Sequence, residues 1–369
     1  MPLPEEPRLG EAAPSGSHAP AFGPERSPFL LGRRATLLGA VALLAASPAR
    51  LVLAASDDEL NDAIQKVWGA PFSSLTHATV TFSADPFDAD RVADMVDDDN
   101  TVWDICRTGA GTCSTLGRAG LLEMLDWSVI DRRSAPSGFV IPWWGIPAYL
   151  TSLVIAFDRI AVGPKPPQSW AEFWDTGRFP GKRAVLADGV AGVCESVLLA
   201  DGVAADRLFP LDLDRAFARL AALRPQLVLC ASAAEARTAL QGGAAPLGLL
   251  RNTTAYALRQ NAPGRFDWSW NQAILTPCLF VVPKGNPAGP ALAMRFIAST
   301  QLPDRQTALL RLAGCGPANP EARARLPSDL VPLDPGSAEN LRVGVRIDQD
   351  WYNANEAALA QRWHAFITA

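Results

Sequence analysis

Apolar positions along the chain follow two periods that alternate from segment to segment. Alternating or continuous apolar runs of four to nine residues predict strands. Apolar residues three and four apart, often opened by Ser, Asp or Asn, predict helices. The predicted strands are 50–56, 78–82, 101–106, 150–157, 183–187, 226–230, 246–250 and 274–282. The predicted helices are 88–96, 116–125, 170–174, 233–240, 291–299 and one that opens at 350. This alternation predicts an α/β fold.

The most informative stretch runs from Pro164 to Leu220. Its three early prolines predict an extended entry, because proline supplies no helical N–H group. Ser169 then opens a short helix with Glu172 at the capping-box position. One face of that helix carries three aromatic residues, so it needs a large apolar surface on which to pack.

This stretch resembles the extracellular solute-binding proteins of ABC importers, in the spermidine/putrescine-binding-like branch. The matching segments are SWAEFWD at 169–175, RFPGKRA at 178–184, LLADGV at 198–203 and LFPLDLDRAF at 208–217. The segment 314–319 also resembles the family's GPxN turn, and 350–353 opens a helix that resembles the family's terminal helix. The resemblance implies a two-lobed periplasmic-binding-protein fold of type II, with a hinge between the lobes.

The resemblance also implies how the chain is divided. After the leader about 320 residues remain, which is more than one core usually fills. Lobe 1 is expected at 50–153 and 275–328, and lobe 2 at 154–274 and 329–369. The apolar runs at 150–157 and 274–282 would cross between the lobes.

The first 49 residues predict export to the periplasm. Residues 1–32 are rich in Pro, Gly, Ser and Ala without a period, which predicts disorder. The pair Arg33–Arg34 precedes an apolar run at 37–46 that is too short for a membrane span. This is the pattern of a signal peptide, either of the twin-arginine type or of the general secretory type. We expect cleavage near Ala49 rather than after Ala54 or Ala55, because 50–56 then survives as the first strand.

Charge and cysteine content narrow the class further. The leader has four acidic and four basic residues, so the net charge of −5 comes from the rest of the chain. This negative charge does not favour binding to nucleic acid or to an anionic membrane. Six cysteines in an oxidising compartment permit disulfides, although buried thiols are the alternative for each. The candidate pairs are Cys106–Cys113, Cys194–Cys230 and Cys278–Cys315. No Cys/His spacing suits zinc, and no metal or cofactor is expected.

Ligand contacts are expected in the loops beyond the strand ends. The candidate ligand-binding residues are Ser56, Asp57, Arg107, Trp143, Trp144, Asp188, Arg251, Asn252 and Trp270. Arg251 stands where the family has a tryptophan, and Cys278 stands where polyamine binders have an acid. We therefore expect a solute with an anionic group held by Arg251, walled by the tryptophans and oriented by Asn252. An ion pair is the alternative role for Arg251, and an amino acid or a cationic polyamine is an open alternative as ligand.

The resemblance implies a solute-binding component of an ABC importer that delivers its ligand to a separate membrane permease and works as a monomer. An enzyme is not expected, because Gly-x-Ser-x-Gly is absent and no histidine accompanies a plausible nucleophile. The competing hypothesis is a sensor or interaction module that has lost its transport ligand, because the acids expected in the pocket are missing.

Overall fold

The computed structural model describes residues 49–55, 60–136, 141–187 and 191–369. Over these ranges nine strands form one mixed sheet with helices against both faces. None of the helices found there is long and apolar enough to cross a membrane. The predicted leader, arginine pair and signal peptide at 1–48 lie outside the described residues.

The strands are β1 (Arg50–Ala55), β2 (Thr79–Phe82), β3 (Ile105–Thr108), β4 (Gly145–Asp158), β5 (Arg183–Leu186), β6 (Leu227–Cys230), β7 (Leu247–Arg251), β8 (Phe266–Val281) and β9 (Val345–Arg346). The helices are α1 (Asn61–Ile64), α2 (Ala70–Thr76), α3 (Ala89–Asp97), α4 (Ala110–Arg118), α5 (Arg159–Val162), α6 (Trp170–Trp174), α7 (Val193–Ala200), α8 (Leu213–Leu223), α9 (Ala233–Gln241), α10 (Asn252–Asn261), α11 (Pro290–Thr300), α12 (Pro303–Ala313), α13 (Pro320–Ala324), α14 (Ala338–Val343) and α15 (Gln349–Thr368). A π-helical segment, Gln65–Gly69, joins α1 to α2.

The sheet order is β2-β1-β3-β8-β4-β7-β5-β6, with β9 also paired to β8. The pairs among β1, β2 and β3 are parallel, as are those among β5, β6 and β7. Strands β4 and β8 run antiparallel to each other and join the two parallel groups. The predicted crossing runs at 150–157 and 274–282 lie almost entirely within these two long strands.

Separate cores accompany the two parallel groups. We call β1–β3 with α1–α4, α11 and α12 the first region, since their apolar side chains share two buried clusters. We call β5–β7 with α6–α10 the second region, whose clusters lie on the two faces of its part of the sheet. Both regions also pack on β4 and β8, so these strands are their common connection.

The stretch after Pro164 forms the predicted elements, and most of its residues are scaffold. The Ser169 hydroxyl accepts a hydrogen bond from the Glu172 N–H (3.2 Å), which starts α6 as expected. The aromatic face of α6 is buried in the second region. Arg183 is fully buried and donates to the carbonyls of Phe173 (2.8 Å), Asp175 (3.1 Å) and Gly181. The Arg183 guanidinium therefore holds together the backbone of this stretch and is not available to a ligand.

Two predicted elements of the first region are misplaced. The strand predicted at 101–106 is β3, which begins at Ile105 and runs to Thr108. The helix predicted at 116–125 is α4, which begins at Ala110 and ends at Arg118. Two glycines inside α4 lower its helix propensity, so the sequence pattern hid it. The region after α4 is extended and bridges Leu122 to Pro283.

Candidate functional site

A cavity of about 760 Å³ lies where the carboxyl ends of strands from both regions meet. Ala55 ends β1 and Thr108 ends β3, while Ala187 follows β5 and Arg251 ends β7, and all four line the cavity. Ligands of open α/β sheets bind at such strand ends, and the volume is typical of small-molecule sites. This cavity is therefore the candidate binding site.

The floor of the cavity comes from β4 and β8. Tyr149, Thr151 and Leu153 are alternate residues of β4 and all face the cavity, as the two-residue period of a strand requires. Thr276 and Cys278 of β8 lie beside them. The hydroxyls of Thr151 and Thr276 are 3.1 Å apart. The middle of the floor is thus polar but uncharged.

Each region contributes one arginine to the cavity. Arg107 of β3 donates to the Tyr149 hydroxyl (3.1 Å) and to Asn61 Oδ1 (2.7 Å). Burial raises the pKa of Tyr149 well above its usual value, so the hydroxyl stays protonated beside that guanidinium. Arg251 ends β7, and its Cα pairs with Leu153. Since Tyr149 and Leu153 are four residues apart, these two levels of the floor are separated by roughly 13 Å.

Helix α15 forms a further wall. One face of the helix lines the cavity, with residues spaced mostly three and four apart: Gln349, Tyr352, Glu356, Ala357, Leu359, Ala360, Trp363, His364 and Ile367. Tyr352 donates to Glu195 of α7 (2.6 Å), and the Trp363 indole N–H donates to the carbonyl of Ala187 (3.0 Å). These contacts attach α15 to the second region.

The same helix also reaches the first region. Glu356 accepts hydrogen bonds from the hydroxyls of Thr112 (2.5 Å) and Thr115 (3.0 Å), both on α4. The terminal helix was expected to pack on lobe 2, yet α15 spans the cavity and contacts both regions. No sequence signal marked Glu356 as a site residue, because a lone glutamate on a helix normally faces solvent.

Of the predicted ligand-binding residues, the structure brings Arg107 and Arg251 to one cavity. Ser56, Asp57 and Asp188 lie outside the described residues. Their neighbours Ala55 and Ala187 line the cavity. The remaining predicted residues are placed elsewhere.

The two adjacent tryptophans before β4 lie away from the cavity. The Trp144 ring packs against Gly117 of α4 at the edge of a first-region core. The Trp143 side chain is on the surface, 51% exposed, with the Arg132 guanidinium 5.1 Å from its ring. Both residues lie in a turn that the Gly145 N–H closes on the Pro142 carbonyl (3.5 Å), and neither lines the cavity.

Trp270 and Asn252 have scaffold contacts. The Trp270 indole N–H donates to the carbonyl of Pro332 (2.9 Å). Asn252 is buried at the start of α10, where its side chain accepts from the Ser152 N–H (2.8 Å) and donates to the carbonyl of Gly314 (2.8 Å). Both polar atoms of Asn252 thus brace the backbone, and neither residue lines the cavity.

The structure joins none of the six cysteines in a disulfide, which corrects the three candidate pairs. Cys106 and Cys113 are buried in one core, and the segment between them forms the end of β3 and the first turn of α4. Burial raises the pKa of the Cys113 thiol to about 12.

The geometry of the sheet also keeps the members of the other two pairs apart. Cys194 and Cys230 belong to cores on its opposite faces. Cys278 is in β8, on one side of β4, whereas Cys315 precedes Gly316, which pairs with Leu150 on the other side. Two strand spacings are about 10 Å, beyond the roughly 7 Å that a disulfide spans between Cα atoms.

Comparison with known proteins identifies relatives over most of the chain. Residues 68–338 match the family model described as bacterial extracellular solute-binding protein. A gamma-aminobutyric acid (GABA)-binding protein of Pseudomonas aeruginosa is 30% identical over 284 residues, covering 75% of this chain and 79% of the relative.

Two solved structures have the same fold. The Atu4243–GABA receptor superposes with a TM-score of 0.78 at 30% identity and covers 86% of this chain and 97% of its own. The binding protein AgtB from A. tumefaciens R10, in complex with agropinic acid, has a TM-score of 0.78 at 25% identity and covers 87% and 99%. The resemblance and the fold class expected from the sequence are confirmed.

Proposed function

Because the chain belongs to the bacterial extracellular solute-binding proteins, we propose that its cavity holds a small solute through a carboxylate. The chain is a solute-binding component of an ABC importer, which captures a small polar solute for delivery to a permease. A sensor module without a transport ligand is not favoured.

The observation that carries the proposal is the placement of Arg107 and Arg251 at one cavity, one from each region. A guanidinium presents its N–H groups in a planar fork that matches a carboxylate. Arg107 is only 2% exposed, whereas Arg251 is half-buried, so we assign the main ligand contact to the more accessible Arg251 and a supporting field to Arg107.

The charge of the two arginines discriminates between the candidate classes of solute. Two arginines disfavour a polyamine, whose charges are all positive, through repulsion in a partly dry site. A carboxylate is favoured by the same groups. GABA, named for two of the relatives, and agropinic acid, named for a third, both carry a carboxylic acid, which supports an acidic solute for this chain.

The two regions would act as the two lobes, at 50–153 with 275–328 and at 154–274 with 329–369, with β4 and β8 as the hinge. A solute that contacts both arginine-bearing regions stabilises the closed form by the contacts it makes only there. The relatives are solute-binding proteins, and capture of a solute needs no covalent step, so we propose a binding protein rather than an enzyme. We further propose a periplasmic monomer without cofactor, exported by a signal peptide that is cleaved near Ala49.

Calorimetry with the purified mature chain tests the solute class. We expect binding of GABA or another small carboxylate, and no heat with spermidine or putrescine. Arg251→Ala should weaken binding by about 10- to 100-fold, since one charge-assisted contact is worth roughly 1.5–3 kcal/mol. Arg133→Ala is the matched control, because the Arg133 side chain is 91% exposed and outside the cavity. Tight polyamine binding, or equal carboxylate affinity in Arg251→Ala, would exclude the proposal.

A further inference from the structure

The acids that line the cavity differ in how firmly they are held. Among the described residues they are Asp88, Asp90 and Glu356. Asp88 and Asp90 are exposed at the rim, and Asp88 is occupied in capping α3 by accepting from the Arg91 N–H (2.9 Å). Glu356 is half-buried on the α15 wall. Within the described ranges it is the acid held most firmly at the cavity.

Two hydroxyls fix the Glu356 carboxylate. Thr112 donates to one oxygen (2.5 Å) and Thr115 to the other (3.0 Å), so the group cannot rotate freely. Its oxygens also lie 3.2–3.3 Å from the position that a Cβ on Gly111 would take, so a larger residue there would push the carboxylate away. A carboxylate has about four acceptor sites, and the two threonines use two of them. Glu356 therefore keeps acceptor capacity for a ligand cation.

The cavity consequently carries opposite charges on different walls. Arg251 stands at the end of β7, whereas Glu356 stands on the α15 wall and is hydrogen-bonded to α4. A simple carboxylate would pair with the arginine and offer no cation to Glu356. A solute with an acid at one end and an ammonium at the other would pair with both walls.

We propose that Glu356 is a specificity-determining residue that binds the ammonium group of the solute, with Thr112 and Thr115 as positioning residues. The inference rests on the proposed function and narrows its substrate class to solutes that carry both a carboxylate and an ammonium group. It also gives α15 a direct part in recognition, beyond packing on one region.

Matched solute pairs test the assignment by calorimetry. The probes are GABA against butyrate, and 5-aminovalerate against valerate, which differ only in the ammonium group. Wild-type protein should prefer the amino acid of at least one pair by 10-fold or more. Glu356→Gln should remove most of that preference and leave the affinity for the simple acid unchanged or higher. Asp350→Asn, an exposed acid on the same helix, should keep the preference.

The double variant Thr112→Val/Thr115→Val examines the positioning role. It should reduce the same preference while keeping Glu356 itself. If Glu356 were only structural, its substitution would weaken both members of each pair equally, and the assignment would be wrong. Equal affinity of wild-type protein for both members would also overturn this inference and leave the carboxylate proposal standing. Binding of none of the four probes, with polyamine binding instead, would remove both.

Discussion

Glu195 is a fully buried carboxyl group at the start of α7. It accepts hydrogen bonds from the Gly192 N–H (2.8 Å) and the Tyr352 hydroxyl (2.6 Å), and Cys194 lies next to it in the chain. Burial raises its pKa from 4.5 to about 7, since these hydrogen bonds offset only part of the lost hydration. The folded protein therefore favours the protonated carboxyl.

This raised pKa predicts a loss of stability as pH rises. The folded state holds the Glu195 proton more tightly than the unfolded state does, so the contribution is complete below pH 4.5 and is lost as pH approaches 7. The loss amounts to at most about 3 kcal/mol. Glutamine mimics the protonated carboxyl, so Glu195→Gln should lack this dependence.

Urea unfolding of both proteins at pH 5 and pH 7.5 measures the difference. The free energy of unfolding of the wild type should fall relative to that of the variant, and other titrating groups cancel in the comparison. Parallel pH dependence of the two proteins would show that Glu195 has an ordinary pKa.

At the scale of elements, the packing of α4 requires a glycine at position 117. A Cβ on Gly117 would lie 2.2 Å from the Trp144 ring, so an added methyl group must displace a ring that is packed in a core. The Gly117 position thus sets how closely α4 approaches the segment before β4. Overpacking a core typically lowers the free energy of unfolding by about 1–3 kcal/mol.

We therefore expect Gly117→Ala to lower the free energy of unfolding by about 1–3 kcal/mol, despite the better helix propensity of alanine. Chemical denaturation measures this loss. Gly109→Ala is the control, because nothing lies within 4 Å of its Cβ position and its φ of −77° suits any residue. A variant at Gly117 as stable as the control would mean that Trp144 moves aside without cost.

The sequence predicted elements well where local signals agree with packing. Ser169 caps α6, and continuous apolar runs became β4 and β8, because these signals act over a few residues. It failed at α4, where glycines required by tertiary contact contradict helix propensity. It also failed for tryptophans, since bulk alone does not show whether a ring faces a core, the surface or a cleft.

The residues that line the cavity were predictable only in part. Arg107 lies one residue before the end of β3 and Arg251 ends β7, so the sheet topology brings both to one cavity. Asn252 was misread because an amide after a strand can brace backbone as well as bind ligand. Glu356 was missed because its partners, Thr112 and Thr115, are more than 240 residues away in sequence.

At the scale of the molecule, two long strands connect regions that otherwise have their own cores. If these regions are lobes, solute binding should bring them together. Small-angle scattering should then show the radius of gyration of the mature chain falling on saturation with solute, toward the about 20 Å of a compact chain of this size. Arg251→Ala at the same solute concentration should contract less. Full calorimetric saturation without any contraction would argue against a hinge at β4 and β8.

One wall of the cavity is carried by α15, a helix that contributes no strand pairing to the sheet. Its small, solvent-accessible positions Ala357 and Ala360 face the cavity. Larger side chains there would reduce the space for a solute without changing β4 and β8, the proposed hinge. We therefore expect the length and bulk of the accepted solute to be tunable along this one helix.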